Sequence, residues 1–291
     1  MDRQLTLYEM TENSRVDPVV NVSSVPQRSP FRYPGGKTWL IPTVRKWLRQ
    51  NGKVNSLIEP FVGGGIVSLT AAFEGLSDQI TMVELDEEIA AVWSAILSEK
   101  NTWLAQKILS FELTLSNVKA ELDKPNKLPQ EIAFCTILKN RIFHGGILAK
   151  GSGMIKNGEN GKGIASRWYP KTLHDRIRAI EYVKNKIEFI SGDAFKIIQQ
   201  NLGQKNVFFF IDPPYTIAGK RLYTHYQIDH EHLFQLTAQL KGKFMLTYDD
   251  SLEIRQLAEK YNLQFKTIPM KTTHHLQKSE IIISDNFEWW L

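Results

Sequence analysis

Asn206-Val207-Phe208-Phe209-Phe210-Ile211 runs directly into Asp212-Pro213-Pro214-Tyr215. The first run is short, apolar and rich in β-branched and aromatic residues, and a proline closes it. That pattern predicts a fully buried strand over 206–211. Asp212 is then a charge pinned at the carboxyl end of a core strand, where open parallel sheets bind their ligands. Pro214 pushes Pro213 toward an extended conformation. Neither proline has an N–H, so both carbonyls keep acceptor lone pairs. A carboxylate, an outward carbonyl and the flat ring of Tyr215 form a rigid cup that suits a planar group bearing an NH2. Asp and Pro are also common where any strand leaves a core, so the surrounding motifs decide between the two readings.

Upstream, the pattern predicts a loop over 29–36, a helix over 38–50 and a strand over 54–58 ending in Glu59-Pro60-Phe61. Gly63-Gly64-Gly65 and a helix over 66–73 follow, then a strand over 79–83 closed by Glu84-Leu85-Asp86 and a helix over 87–98. Strand–helix alternation of this kind implies a parallel sheet with crossover helices. It stops near Asn101, where two helical stretches lead into a Gly- and Lys-rich surface loop over 140–163. It resumes with a strand over 186–190, Ser191-Gly192-Asp193 and a helix over 194–201. After the Asp212 motif come a helix over 231–240, a strand over 243–247, a helix over 252–261, and a terminal antiparallel pair over 263–268 and 279–284. The expected fold is an α/β, Rossmann-like sheet interrupted by a mainly helical and loop insert. Its parts are an arm over 1–29, a catalytic body over 30–100 and 185–291, and an insert over 101–184.

The 291 residues carry a net charge of +5. Between Thr136 and Lys186 there are eleven Lys/Arg and three Asp/Glu, so that segment carries +8 and the remainder −3. A basic region of this kind attracts a polyanion, most simply a nucleic-acid backbone. No stretch approaches the ~20 apolar residues of a membrane span, and the polar amino terminus lacks the apolar core of a signal peptide. Cys135, the only cysteine, excludes an internal disulfide and a cysteine metal site, and reads as a buried small hydrophobe. Together these features predict an intracellular protein.

Glu59 to Gly65 is a strand–glycine loop–helix unit, in which missing side chains let a ligand lie against backbone and helix N–H groups. The spacing is neither Gly-x-Gly-x-x-Gly nor a phosphate-binding P-loop, which disfavours a dinucleotide or ATP. Glu84 ends the next strand, where nucleoside-binding sheets hold ribose hydroxyls; Asp86 is the neighbouring candidate, or else a helix cap. Asp193 can accept from an adenine amino group or cap the following helix. The adjacent pairs His230/His232 and His274/His275 lack the i, i+4 spacing of a helical zinc site, so no metal is expected.

Phe31-Arg32-Tyr33-Pro34-Gly35-Gly36-Lys37, then Glu59-Pro60-Phe61-Val62-Gly63-Gly64-Gly65, then Asp212-Pro213-Pro214-Tyr215 resemble, in that order, the Dam-type (D12 class) DNA adenine-N6 methyltransferases. The resemblance spans about Pro30 to Ser284. It implies S-adenosylmethionine as methyl donor and duplex DNA as partner, with a base flipped out of the helix. It implies a cytoplasmic enzyme acting on bacterial or phage DNA, with or without a cognate restriction endonuclease acting separately. Tyr33 matches an aromatic position, often tryptophan, beside the donor. Lys37 matches a lysine near donor and catalytic loop, and Glu84 matches the ribose-binding acid. The donor site would comprise Tyr33, Gly35, Gly36, Lys37, Glu59, Pro60, Phe61, Gly63, Gly64, Gly65, Glu84, Leu85, Asp86, Asp193, Ala194, Phe195 and Asp212. Asp212, Pro213, Pro214 and Tyr215 would carry catalysis, with Tyr215 stacked on the flipped base and His225 and Tyr226 lining its pocket or the DNA path. Asn140-Arg141 followed by Gly145-Gly146 resembles a pattern in the family's insert. Lys139, Asn140, Arg141, Lys150, Lys156, Lys162 and Arg167 are expected to bind DNA, the basic ones on its phosphates, while Lys171, Arg176 and Arg178 equally suit a solvated helix face. RNA adenine-N6 and DNA cytosine-N4 methylation use nearly the same chemistry and stand as alternatives, as does a DNA-binding protein without catalysis.

Overall fold

Val207–Ile211 forms β4, and its residue pattern accounts for the layers around it. Phe208 and Phe210 enter one hydrophobic cluster; Phe209 and Ile211 enter another. A pleated strand points successive side chains to opposite faces. An apolar residue at every position therefore requires cover on both sides of the sheet. The computed structural model describes residues 25–149, 151–158, 161–216, 225, 227–271 and 277–290.

The other strands are β1 (Ser56–Glu59), β2 (Gln79–Glu84), β3 (Ile187–Ser191), β5 (Lys243–Asp249), β6 (Gln264–Lys271) and β7 (Gln277–Ser284). They form one seven-stranded sheet in the order β3-β2-β1-β4-β5-β7-β6. Strands β1 to β5 run parallel to their neighbours among themselves, and β7 is antiparallel to both β5 and β6. The expected terminal antiparallel pair forms, and within it the last strand enters between β5 and β6. Its Ile281, Ile282 and Ile283 are fully buried, which an edge strand would not provide.

Among the described residues, seven helices contribute to the first cluster: α1 (Ile41–Gln50), α2 (Ile66–Glu74), α3 (Glu87–Leu97), α4 (Asn101–Ser110), α5 (Leu115–Asp123), α6 (Pro129–Ile142) and α7 (Pro170–Ile180). The opposite face is covered by α8 (Ala194–Gln200), α9 (His230–Thr237) and α10 (Leu252–Lys260). Helices α4, α6 and α7 of the 101–184 segment share their cluster with the sheet.

Local chemistry explains where the elements depart from the sequence pattern. The helix expected from residue 38 begins as a 3-10 turn, Lys37–Leu40, and becomes α-helical with Pro42 in its first turn. Proline suits that place because a first-turn N–H has no partner to lose. Three helices, not two, lie between Asn101 and residue 143. Thr114 caps α5 by accepting from the Asn117 N–H at 3.1 Å, and Pro129 opens α6. The glycine-rich segment after α6 is pinned at its start. Phe143 bridges Met154, and the Ile155 N–H donates to Ile142 O at 2.8 Å. Among the described residues, no helix is long and apolar enough to cross a membrane.

Candidate functional site

Strands β1 and β4 are neighbours, with Ile58 opposite Phe209. From β1 the chain moves toward β2, and from β4 toward β5, so the loops leaving their carboxyl ends diverge. A crevice opens at such a reversal of strand order. Here it is a cavity of ≈ 300 Å³. Glu59, Pro60, Phe61 and Gly63 to Gly65 line it after β1, and Glu84, Leu85 and Asp86 after β2. Asp193, Ala194 and Phe195 line it after β3, Asp212 and Pro214 after β4, and Tyr33, Gly35, Gly36 and Lys37 from the amino-terminal loop. Pro213 is buried beside the cavity without lining it.

The glycine loop is held by aromatic packing. Gly65 has φ +64°, and a Cβ there would lie 2.7 Å from Trp93 Cζ2. At Gly63, φ +44°, a Cβ would meet the Tyr33 ring at 2.5 Å. No larger residue fits either backbone or space. Trp93 Nε1 donates to Gly63 O at 2.9 Å, and Ser29 Oγ to Gly64 O at 2.5 Å. Tyr33 therefore packs on the loop, with Phe31 edge-on to it at 6.3 Å.

Five carboxylates, Glu59, Glu84, Asp86, Asp193 and Asp212, line the cavity. Glu59 accepts from the Ser68 N–H at 2.9 Å and from the Ser68 hydroxyl, and burial pushes its pKa up to about 8. Burial likewise raises Glu84 to about 7, against the pull of hydrogen bonds from the N–H groups of Asp86, Gly63 and Leu85, each 3.0 Å away. Glu84 thus ties β2 to the glycine loop. Asp86 caps α3, accepting from Glu88 and Ile89 N–H groups at 2.9 and 3.2 Å. Asp193 caps α8 through the Phe195 N–H at 2.9 Å. Phe195 meets Phe61 edge-on at 6.3 Å, and with the half-exposed Leu85 these rings make an apolar wall beside the acids. An apolar slot, acceptors for hydroxyls and a surplus of acidic groups over the one lysine fit a nucleoside carrying a cationic centre, as S-adenosylmethionine does.

At the other end Asp212 Oδ1 accepts from Thr247 Oγ1 at 2.8 Å and lies 2.9 Å from Lys37 Nζ. Lys37 also donates to Gly35 O at 3.0 Å and sits 4.9 Å from the Tyr215 ring centroid. Burial pulls the ammonium's pKa down, but Asp212 and Glu280 outweigh it and leave the value above that of an ordinary lysine. Tyr215 does not line the cavity. Its ring stacks on Tyr248 at 5.7 Å and its hydroxyl donates to Glu280 Oε2 at 3.0 Å. Burial, with Asp212 and Glu280 nearby, raises the phenol's pKa well above its usual value, so it remains a donor.

The insert residues divide. Asn140 and Arg141, expected on DNA, are turned inward and buried. Asn140 Oδ1 accepts from the Arg32 N–H at 2.8 Å, and its Nδ2 donates to Arg32 O at 3.0 Å and Gly146 O at 2.8 Å. Arg141 donates to Pro30 O, and burial, with Arg176 and Arg32 close by, lowers its pKa to about 10. Both residues brace the loop that carries Tyr33 and Lys37. Arg176 adds a bond to Ser29 O at 3.2 Å, and Arg178 joins Asn101 and Thr102 on α4 at 2.8 and 2.6 Å, so neither merely solvates a helix face. Lys139 pairs with Glu88 on α3. Lys156 and Lys162 are exposed and flank one turn, closed by Gly163 N–H donating to Asn157 O at 2.9 Å; Arg167 is partly buried. Lys150 lies outside the described residues, as do Tyr226, His274, His275 and most of the amino-terminal arm. Cys135 is buried, which raises its thiol pKa to about 11.

The cavity also takes in Gly146, Leu148 and Ala149 of the insert and His225, Gln227 and Ile228 after the motif. Of these, Gly146 and His225 stood out in the sequence. Thr247 and Glu280 were missed too. Their only local signals are a polar residue at the end of an apolar strand and an acid at the head of an isoleucine run. His230 contacts Tyr248 Oη at 2.8 Å, while His232 stacks on Phe195 at 5.4 Å, so the two histidines serve different neighbours. Among the described residues, no group of three or more His, Cys, Asp or Glu side chains could hold a metal ion.

The sequence matches the family described as D12 class N6 adenine-specific DNA methyltransferase over residues 33–128 and 151–276. No curated protein matches it. Among solved structures, a candidate RNA methyltransferase of Pyrococcus horikoshii is similar at 9% identity and TM-score 0.40, with 92% of each chain covered. A SAM-dependent methyltransferase of Agrobacterium tumefaciens is similar at 13% identity and TM-score 0.39, covering 86% of this chain and 62% of that one. An rRNA methylase of Streptococcus thermophilus is similar at 8% identity and TM-score 0.35, covering 83% and 93%. These are remote likenesses; the family membership rests on the sequence match.

Proposed function

The chain belongs to the D12 class N6 adenine-specific DNA methyltransferase family, and from that premise we propose that it methylates N6 of an adenine flipped out of duplex DNA, with S-adenosylmethionine as donor. The observation that carries the reading is Asp212, held at the end of β4 by Lys37 and Thr247 on the wall of the glycine-loop cavity.

S-adenosylmethionine, when bound, supplies an electrophilic methyl group on a sulfonium. Glu84 would accept from its ribose hydroxyls, Phe195 and Leu85 would flank its adenine, and the glycine loop would lie against its backbone-facing side. The target N6 is a poor nucleophile because its lone pair is delocalised into the ring. Both described bonds to Asp212 fall on Oδ1, which leaves Oδ2 to accept one N6 hydrogen. The Pro213 carbonyl would accept the other. Two such bonds localise the lone pair and aim it, so catalysis is orientation and electrostatics rather than covalent attack. Asp212 would sit beside the positive charge that develops on nitrogen as the donor's C–S bond breaks, and one N6 proton would leave after transfer.

Stacking buries N6 in a duplex, so the base must leave the helix to react. Residues 101–184 would act as the target-recognition segment, with 30–100 and 185–291 as the catalytic body. Exposed Lys156 and Lys162, with Arg167, would hold phosphates. The reading holds with or without a cognate restriction endonuclease acting separately. A cytoplasmic location belongs to the same proposal.

The test is mass spectrometry of nucleosides from unmethylated duplex DNA incubated with the protein and S-adenosylmethionine. N6-methyladenine is the expected product. N4-methylcytosine would change the target base, and modification of RNA alone would change the polymer.

A further inference from the structure

Strand β7 runs against the parallel strands, so its first residues reach the edge where those strands end. Glu280 pairs in register with Asp249, the last residue of β5. It therefore stands at the same edge as Asp212, although it lies near the start of its strand. It is only 5% exposed. A carboxylate is seldom buried so deeply without partners, and the partners of Glu280 come from the two motif loops. Its Oε2 accepts from Tyr215 Oη at 3.0 Å and lies 3.7 Å from Lys37 Nζ. One oxygen thus holds both the ring that ends the Asp-Pro-Pro-Tyr motif and the ammonium that faces Asp212 at 2.9 Å.

We propose that Glu280 is a positioning residue for methyl transfer, setting the Tyr215 ring and the Lys37 ammonium relative to Asp212 without touching the substrate base. The proposal rests on reading the cavity as an adenine methyltransferase site. Stacking on Tyr248 fixes the plane of the Tyr215 ring, and the hydroxyl bond to Glu280 fixes its far end. The Lys37 ammonium is shared between two carboxylates. Without Glu280 it would be drawn wholly to Asp212, and a carboxylate engaged by a full ammonium accepts weakly from an amino group. Sharing keeps Asp212 both in place and able to accept.

The experiment uses the full chain as wild type, E280Q, Y215F and the double variant. Melting curves, donor dissociation constants by calorimetry and single-turnover methylation of duplex DNA are measured on each. E280Q is expected to melt cooperatively and to bind S-adenosylmethionine like the wild type. Its methylation rate should fall by roughly ten- to a hundredfold, the worth of one charge-assisted hydrogen bond. That cost should shrink in the Y215F background, because E280Q takes the charge from the acceptor of a bond that Y215F removes. A wild-type rate in E280Q would overturn the proposal. So would an equal cost in both backgrounds, or a loss of donor affinity that accounts for the loss of rate. Should E280Q fail to fold, Y215F decides alone: a lowered rate supports the proposal, and an unchanged rate overturns it. A wild-type protein that binds the donor yet methylates no adenine would overturn the functional reading itself, whereas loss confined to the variants bears on Glu280 alone.

Discussion

Lys37 Nζ lies 2.9 Å from Asp212 Oδ1, joining a loop near the start of the chain to the end of β4. Lys37 is buried, and a buried ammonium is stable only when paired. Asp212 and Glu280 provide the pairing, so the lysine and the sheet edge stabilise one another. Because Lys37 keeps Glu280 when Asp212 is removed, the fold and the chemistry can be separated.

Asp212→Ala is expected to lower single-turnover methylation by about a thousandfold, the upper range for loss of one preorganised polar group at a reacting centre. Its melting transition should stay cooperative. Circular dichroism melting and rapid-quench methylation check both, and substantial residual activity would remove Asp212 from the catalytic role.

Glu84 and Asp86 can be told apart by what each already holds. Glu84→Gln should weaken donor binding by roughly tenfold, since an amide cannot accept at both ends as the carboxylate does. Asp86→Ala should lower stability by about 1 kcal/mol through loss of the α3 cap and leave donor affinity largely intact. Calorimetric titration with S-adenosylmethionine, beside a melting curve, separates the two; the opposite pattern would move the ribose role to Asp86.

Burial raises Glu59 to about 8 and Glu84 to about 7, above the 4.5 of a free carboxyl. The folded protein thus holds more protons than the unfolded chain across that window. Their contribution to stability is complete below 4.5 and is lost as pH rises through about 7 and 8. A cationic donor favours the ionised acids, so its binding should release protons and tighten as pH rises through the same window. Calorimetry in buffers of different ionisation enthalpy reads the proton count directly; proton uptake on binding would contradict the assignment.

The insert offers a contrast between inward and outward groups. Replacing Lys156 and Lys162 together with alanine should reduce the slope of log affinity against log salt for duplex DNA by about 2. Asn140→Ala should leave that slope unchanged and cost about 1–3 kcal/mol of stability, because the Arg32 backbone groups lose their partners. Fluorescence anisotropy over a salt series, with a melting curve, checks both.

The strand before Asp212 could be read from Val207 to Ile211 because burial on both faces leaves an unbroken apolar run. The glycine loop was equally legible, since positive φ and close packing tolerate little else. Asn140 and Arg141 were not. A buried amide that braces a distant backbone is written with the same letters as an exposed one that grips a phosphate, and only the position of Arg32 and Pro30 against α6 distinguishes them. Asp86 stood between a ribose acceptor and a helix cap, and its bonds to the Glu88 and Ile89 N–H groups make it the cap of α3.

By itself the sequence determined the parallel α/β order, the strand ends where the cavity forms and the residue types that line it. These follow from local physics: side-chain period, proline and glycine geometry, and charge at the end of an apolar run. Tertiary structure alone decided that β7 enters between β5 and β6 and runs against β5. That direction brings Glu280 to the Asp212 edge, between Lys37 and Tyr215. Strand direction in a sheet is set by packing and pairing across the whole chain, which no local pattern encodes.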